Sequence, residues 1–239
     1  MALLSTSTKI KKSDKFTDKF LSKILYLSPV TLSGYQVCPH ASAGCAAACL
    51  NTSGMGVYSN VQEARKKKTR RFFEERQIFL KELQWEIACF AKLCAKLGKI
   101  AVVRLNGTSD LPWEKMTTII QDNPSVQFYD YTKSFPRMMA FLRGETPPNY
   151  HLTFSMSETN FETCLQVLKC GGNVAMVFDA RGIKKRDRKF PGQFLGYKIV
   201  DGDKHDLRFL DQKNRGQIVG LWAKGKARKD DSGFAVILH

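Results

Sequence analysis

Short apolar runs that recur at a regular spacing constrain the fold of this chain most strongly. Between residue 100 and the run at 218 they begin about every 20 to 26 residues, which is the length of one strand, one helix and their connections. Runs rich in Val, Ile, Phe and Tyr have the length of strands at 23–30, 100–105, 126–131, 150–155, 173–178, 198–200, 218–223 and 234–238. Segments with helical character lie between several of them, at 113–121, 135–142 and 159–169. The pattern predicts an α/β protein with a parallel sheet, forming a closed or partial β/α barrel.

One long helix is predicted after the first strand. Between residues 61 and 97, apolar side chains recur at spacings of three and four, the stripe that a helix buries against a sheet. The first half of this segment carries the basic run RKKKTRR, which we expect to face outward, and Gly98 ends the helix. Glycines and a proline interrupt residues 179–198, which we expect to form a loop.

The chain has the length of one domain, and we expect residues 19–239 to form a single α/β domain of the catalytic type. Residues 1–18 contain four lysines and no apolar run of the kind found in secretory signals. They are therefore expected to form a basic N-terminal arm.

Seven cysteines occur without a secretory signal, which indicates a reducing compartment and free thiols. The expected location is the cytoplasm of a host cell. No apolar stretch approaches the roughly 18 residues that a membrane span needs, so no membrane partner is expected. The sequence leaves the oligomeric state open.

A formal net charge of +16 favours a polyanionic partner, and nucleic acid, either DNA or RNA, is the first choice. Simple solubility is the alternative explanation. The basic residues are clustered, as phosphate contacts require, and the predicted nucleic-acid-binding residues are Arg65, Lys66, Lys67, Arg70, Arg71, Lys184, Lys185, Arg188, Lys224, Lys226 and Arg228.

The most specific local signal is the segment CPHASAGCAAAC, which places Cys38, His40, Cys45 and Cys49 among small residues. Three cysteines can ligate three irons of a four-iron cluster and leave the fourth iron open. Together with His40 they could instead close a tetrahedral zinc site. A third interpretation treats the cysteines as small buried hydrophobes. We rank the iron-sulfur cluster slightly above zinc.

Polar residues follow the predicted strands, where the carboxyl ends of parallel strands share one rim. The residues expected to line a substrate pocket and act in catalysis are Asn106, Asp110, Lys133, Glu158, Asp203 and Arg208. The alternative is that these residues belong to ordinary surface loops, which are also polar.

The segment DGDKHDLRFLD is rich in carboxylates and follows a predicted strand. With Asp110, Glu158 or Asp179, its aspartates could hold magnesium for phosphodiester chemistry. Alternatively, Asp206 pairs with Arg208 and the first aspartates form a turn. The sequence does not decide between the two.

Several segments, taken in order, resemble a bacteriophage gene-product-88-like family over roughly residues 25–237. They include CPHASAGCAAACLNTSGMG, RKKKTRRFFEE, RLNGTSDLPWE, YHLTFSMSETN and IVDGDKHDLRFLD. The resemblance implies a phage or prophage origin and does not supply a reaction.

The cysteine loop is also similar to the cluster loop of radical S-adenosylmethionine enzymes, which likewise follows the first strand of a β/α barrel. The spacing here is Cys-x6-Cys-x3-Cys, whereas those enzymes use Cys-x3-Cys-x2-Cys. This departure favours a cluster over S-adenosylmethionine chemistry.

Three functions follow from these features. The first is an iron-sulfur enzyme that acts on nucleic acid or a nucleotide. The second is a magnesium-dependent nuclease or replication factor with a structural zinc site. The third is a non-catalytic DNA-binding protein, for which the basic clusters alone suffice.

Overall fold

A computed structural model describes residues 2–211 and 216–238, without the side chain of Lys185. The strands are β1 Leu4–Ser5, β2 Phe20–Leu25, β3 Ile100–Arg104, β4 Gln127–Thr132, β5 Tyr150–Ser155, β6 Val174–Phe178, β7 Gln193–Phe194, β8 Tyr197–Asp201, β9 Ile218–Trp222 and β10 Ala235–Val236. The α-helices are α1 Thr8–Phe16, α2 Ala43–Ala47, α3 Ser59–Glu74, α4 Arg76–Lys96, α5 Trp113–Met116, α6 Phe135–Leu142 and α7 Phe161–Lys169.

The described strands form one sheet in the order β1-β2-β3-β4-β5-β6-β9-β8-β7, and β10 pairs with the end of β6. Strands β2 to β6, β8, β9 and β10 pair in parallel, whereas the two-residue strands β1 and β7 pair antiparallel at the edges. The predicted parallel α/β sheet is therefore confirmed. Within the described residues the sheet is not closed by hydrogen bonds, so a closed barrel is not found.

The predicted long helix is divided into α3 and α4. Glu75 leaves the helical region, with φ −123° and ψ 40°, and α4 begins at the next residue. Every third or fourth side chain of α4 faces the core, as the apolar spacing predicts, namely Phe79, Leu83, Ile87, Phe90 and Cys94. No glycine or proline marks the break, which explains why the sequence predicts one helix.

Residues 2–16 pack onto the sheet and do not project as an arm. Strand β1 pairs with β2, and Leu3, Leu4 and Ile10 are buried. Helix α1 begins after Ser7, whose hydroxyl accepts a hydrogen bond from the amide of Ile10. The N-terminal segment is thus a part of the α/β domain.

The two faces of the sheet are covered differently. Alternate residues such as Val103, Phe128 and Leu152 belong to the large apolar core that includes the buried side of α4. On the other face, Val102 and Tyr129 pack against Leu207, in the segment that follows β8. This segment, residues 202–211, therefore reaches back across the sheet.

No helix within residues 2–211 and 216–238 has the length and hydropathy needed to cross a membrane.

Candidate metal centre

The cysteine loop follows β2, the first parallel strand of the chain. Its centre is the short helix α2, which begins after Ser42, whose hydroxyl accepts a hydrogen bond from the amide of Cys45 at 3.2 Å. Cys49 lies four residues after Cys45 and accepts a hydrogen bond from the amide of Asn51 at 3.5 Å. Alanines and glycine between these positions let the backbone turn tightly, as the sequence indicates.

The third thiol, Cys38, lies at the start of the loop and is half-buried. Its sulfur accepts a hydrogen bond from the amide of Val30 at 3.5 Å and donates to the carbonyl of Thr108 at 3.6 Å. Val30 has φ +46°, a left-handed conformation that is strained for a β-branched residue. The position of Cys38 is therefore fixed by contacts from two separate loops.

The three thiols lie close enough to influence one another electrostatically. The pKa of Cys38 is raised to about 12, mainly by burial; the hydrogen bond from the amide of Val30 opposes the rise, and the neighbouring Cys49, Asp110 and Cys45 add to it. Burial also raises the pKa of Cys49, next to Cys45 and to the positive charges of Arg65 and Lys133. Cys38 and Cys49 are therefore protonated at neutral pH unless a cation replaces the proton.

Two predicted features of the metal site are not reproduced. His40 is exposed. Among the residues that the structure describes, no group of three or more His, Cys, Asp or Glu side chains is arranged at metal-binding geometry. The cysteines are thus neighbours in space without an assembled ligand cage.

Glu158, which follows β5, fastens the cysteine loop to the sheet. One carboxylate oxygen accepts a hydrogen bond from the amide of Gly44, and the other accepts one from the hydroxyl of Ser42, both at 2.7 Å. Burial alone would raise the pKa of Glu158, but these hydrogen bonds outweigh it and the pKa is lowered. A Cβ at Gly44 would lie 2.7 Å from the Glu158 carboxyl carbon, so only glycine allows this approach.

Asp110 joins the loops that follow β3 and β4. Its carboxylate accepts hydrogen bonds from the amide of Lys133 at 2.8 Å and from Arg137 at 2.6 Å, and its own amide donates to the carbonyl of Val37. Val37 precedes Cys38. Asp110 therefore positions both Lys133 and the first cysteine.

The amine of Lys133 faces the cysteine loop. It donates to the hydroxyl of Ser155 at 2.9 Å and lies 5.9 Å from the ring centre of Phe234. Its charge opposes part of the rise that burial causes in the pKa of Cys49. The predicted residues that come together at this rim are Cys38, Cys45, Cys49, Asp110, Lys133 and Glu158.

Asn106 was expected to line the substrate pocket, but it is buried in the framework of the sheet. Its side-chain oxygen accepts hydrogen bonds from Ser109, Leu111 and Trp113, and its NH2 group donates to Asp130 and to the carbonyl of Leu111. With these bonds the amide group has no capacity left for a substrate. Asn106 fixes the shape of the loop after β3.

Asp203 and Arg208 belong to a second group of polar residues. Asp203 forms an ion pair with Lys224 at 2.5 Å and accepts a hydrogen bond from the amide of Trp222. Arg208 is buried and forms an ion pair with Asp211 at 3.3 Å. The expected pair of Asp206 with Arg208 is not among the ion pairs of the described residues.

Asp206 lies at the centre of a buried network on the sheet face that opposes the main core. Its carboxylate forms ion pairs with Lys9 at 2.9 Å and Arg104 at 3.0 Å and accepts hydrogen bonds from the hydroxyls of Tyr129 and Tyr131. Burial would raise the pKa of Asp206, but the surrounding cations hold it well below its usual range. This carboxylate is committed to protein cations and is not available to magnesium.

The sequence did not indicate this network. Lys9 belongs to the segment expected to be an arm, and Arg104, Tyr129 and Tyr131 belong to strands. One signal of a polar network was present in the sequence. Arg104 interrupts an otherwise apolar strand, and the two tyrosines are two residues apart, so they lie on the same face of β4.

The predicted phosphate-binding residues divide by exposure. Arg65 is buried, with its guanidinium over the ring of Tyr26 at 4.6 Å and a hydrogen bond to Asn51. It is therefore removed from the set of phosphate contacts. Other members are engaged in ion pairs, namely Lys66 with Glu63, Arg71 with Glu75 and Glu82, and Lys224 with Asp203.

The remaining predicted phosphate contacts are accessible to different degrees. Arg188 is half-buried, and the side chain of Lys185 lies outside the described residues. The exposed basic residues of the set, apart from Lys224, are Lys67, Arg70, Lys184, Lys226 and Arg228. These five keep the capacity to contact phosphates.

Comparison with known proteins gives one result. A family model described as gene product 88 matches residues 1–236. Searches of curated proteins and of solved structures found no match.

Proposed function

The chain belongs to the gene product 88 family, and from the geometry of its cysteine loop we propose that it is an iron-sulfur enzyme that acts on nucleic acid or a nucleotide. The proposal is supported by the position of Cys38, Cys45 and Cys49 in one loop after β2, at the carboxyl edge of the sheet, where their charges interact. This edge is where open parallel sheets place their functional groups.

The three cysteines are better suited to bind an iron-sulfur cluster than to act as free nucleophilic thiols. A thiol with a pKa of about 12, as at Cys38, is a poor nucleophile at neutral pH, because only a minute fraction is ionised. An iron centre changes this balance, because the metal displaces the proton of a coordinating thiol, and that proton is released to the solvent. Three sulfur ligands also match the cluster type that leaves one iron open.

Zinc fits less well. A structural zinc site needs a fourth protein ligand, and the predicted one, His40, is exposed.

The position of the cysteine loop also supports the cluster proposal. The loop follows the first parallel strand, as in the radical S-adenosylmethionine enzymes that it resembles.

The protein groups around the cysteines have separate tasks. Cys38, Cys45 and Cys49 hold the cluster, which supplies electrons or a Lewis-acidic iron when bound. Glu158 orients the loop through Ser42 and Gly44. Lys133 presents a positive charge beside Cys49, where an anionic substrate group would be held.

The proposal is tested by the absorption of protein purified without oxygen. We expect a brown protein with broad absorption in the visible range, and Cys45→Ala should bleach it. Cys170→Ala is the matched control, because Cys170 is exposed and follows α7, outside the loop. Colourless protein that contains one zinc would overturn the cluster, and folded protein without metal would overturn every metal assignment.

A further inference from the structure

An apolar loop lies next to the last cysteine and faces solvent. The segment after Cys49, residues 50–58, exposes Leu50 by 54%, Met55 by 63%, Val57 by 54% and Tyr58 by 55%. Four large apolar side chains exposed within nine residues are the kind of surface that binds a partner.

Hydrogen bonds and close backbone contacts hold the shape of this 50–58 loop. Thr52 Oγ1 donates to the carbonyl of Cys49 at 2.8 Å, and Ser53 Oγ donates to that of Leu50 at 3.0 Å. A Cβ at Gly56 would lie 2.7 Å from the carbonyl oxygen of Asn51, so the two turns of the loop are in close contact. The apolar side chains are therefore presented outward on a fixed frame, a geometry that lowers the entropic cost of binding.

A basic segment borders the same loop. The amide of Lys226 donates to Thr52 Oγ1 at 3.3 Å, and Gly225 packs against the backbone of Thr52. Lys226, Arg228 and Lys229 are exposed, and none of them is in an ion pair with a described residue. Positive charge is thus placed beside apolar and aromatic surface.

Resting on the proposed function, we infer that the 50–58 loop and residues 226–229 bind a single-stranded nucleic acid, so that the substrate is a polynucleotide strand. Single strands expose the faces of their bases, which stack on aromatic and apolar side chains, while their phosphates need cations nearby. In a duplex the base faces are covered, and a raised apolar loop gains little from contact with it. Because the 50–58 loop begins directly after Cys49, a strand bound to it would lie next to the proposed cluster.

The test is fluorescence anisotropy with a labelled oligothymidine of about 15 nucleotides, a length within the site sizes of single-strand binders. We expect the single strand to bind at least about tenfold more tightly than a duplex of equal length, because stacking adds to the phosphate contacts. Inorganic polyphosphate, which has phosphates without bases, should compete weakly.

Variants locate the binding surface. Tyr58→Ala and Lys226→Ala should each weaken binding of the oligonucleotide by about tenfold, and Tyr58→Phe should restore most of the affinity. Trp85→Ala and Lys92→Ala are matched controls, because both residues are exposed on α4. Equal loss in the controls, equal binding of duplex or polyphosphate, or a preference for vesicles with anionic lipid would each overturn the inference.

Iron content of the same samples separates this inference from the proposed function. A Tyr58→Ala protein that keeps its iron and loses the oligonucleotide supports both. Iron-free protein that still binds the single strand through Tyr58 retains the binding surface and overturns the cluster.

Discussion

Glu158 is the side chain that ties the cysteine loop to the sheet. Both of its carboxylate oxygens accept hydrogen bonds from the loop, one from the Gly44 amide and one from the Ser42 hydroxyl. It is a positioning residue and not a ligand, and this role differs from the expected one of lining a substrate pocket.

Replacing Glu158 by glutamine should loosen the loop. One oxygen becomes an amide NH2 group, which cannot accept the hydrogen bond from Gly44 or Ser42, so we expect a loss of about 1–3 kcal/mol in the free energy of unfolding. Iron should also be lost faster to a chelator. Glu162→Gln, an exposed change on α7, is the control, and equal iron retention in the two variants would contradict the role of Glu158.

Asp130, buried on β4, makes stability depend on pH. Burial raises its pKa to about 7, although the charge of Arg104 and hydrogen bonds from Asn106 and Tyr150 oppose the shift. Because the folded protein binds this proton more tightly than the unfolded chain, the stabilisation is complete below about pH 4 and is lost as the pH rises through about 7.

We expect the wild type to lose up to about 4 kcal/mol between pH 4 and pH 8, relative to Asp130→Asn, which has no proton to release. Urea unfolding of both proteins across this range measures the difference. A difference that does not change with pH would show that Asp130 is ionised in the folded state.

Helix α1 is the element for which the sequence-based prediction differs most from the structure. Four lysines predict a solvated arm, but Lys9 points to the buried Asp206, and Lys12 donates to the carbonyl of Asp203 at 2.8 Å. A lysine is buried only where a distant residue supplies the opposite charge, and a sequence does not show which residues are neighbours in space.

Lys9→Ala and Lys11→Ala make the same change on the same helix with different expected costs. Lys9→Ala removes an ion pair from the buried Asp206 and should lower the free energy of unfolding by about 1–3 kcal/mol. Lys11 is exposed, so its replacement should cost less than about 0.5 kcal/mol. Equal unfolding midpoints in denaturant would contradict the packing of α1 on the Asp206 network.

The longer strands and helices can be predicted from the periodicity of apolar residues, whereas the breaks and the shortest strands cannot. Strand β5 and helix α6 lie where the apolar runs predict them, because a strand buried on both faces and a helix on the sheet leave clear patterns. The break at Glu75 and the two-residue strands β1 and β7 leave no pattern, since they depend on contacts with other elements. Burial of Arg65 is missed for the same reason.

In the whole molecule, the parallel sheet gathers residues that are far apart in the sequence. Cys38, Asp110, Lys133 and Glu158 follow different strands and meet at one edge, as the sequence predicts from the direction of the strands. Asp203 and Arg208 also follow a strand. There, however, Asp203 pairs with Lys224 and Arg208 pairs with Asp211, so the carboxylates of this segment do not form an open site. Strand direction can be predicted from sequence, and the pairing of buried charges cannot.

In the proposed function, three cysteines of this loop hold an iron-sulfur cluster. The most direct test of this cluster is the iron and acid-labile sulfide content of protein purified without oxygen, compared with Cys38→Ala, Cys45→Ala and Cys49→Ala. We predict about four irons and four sulfides per chain in the wild type, and a loss of most of both in each variant. Iron and sulfide near zero in folded wild-type protein would contradict the claim.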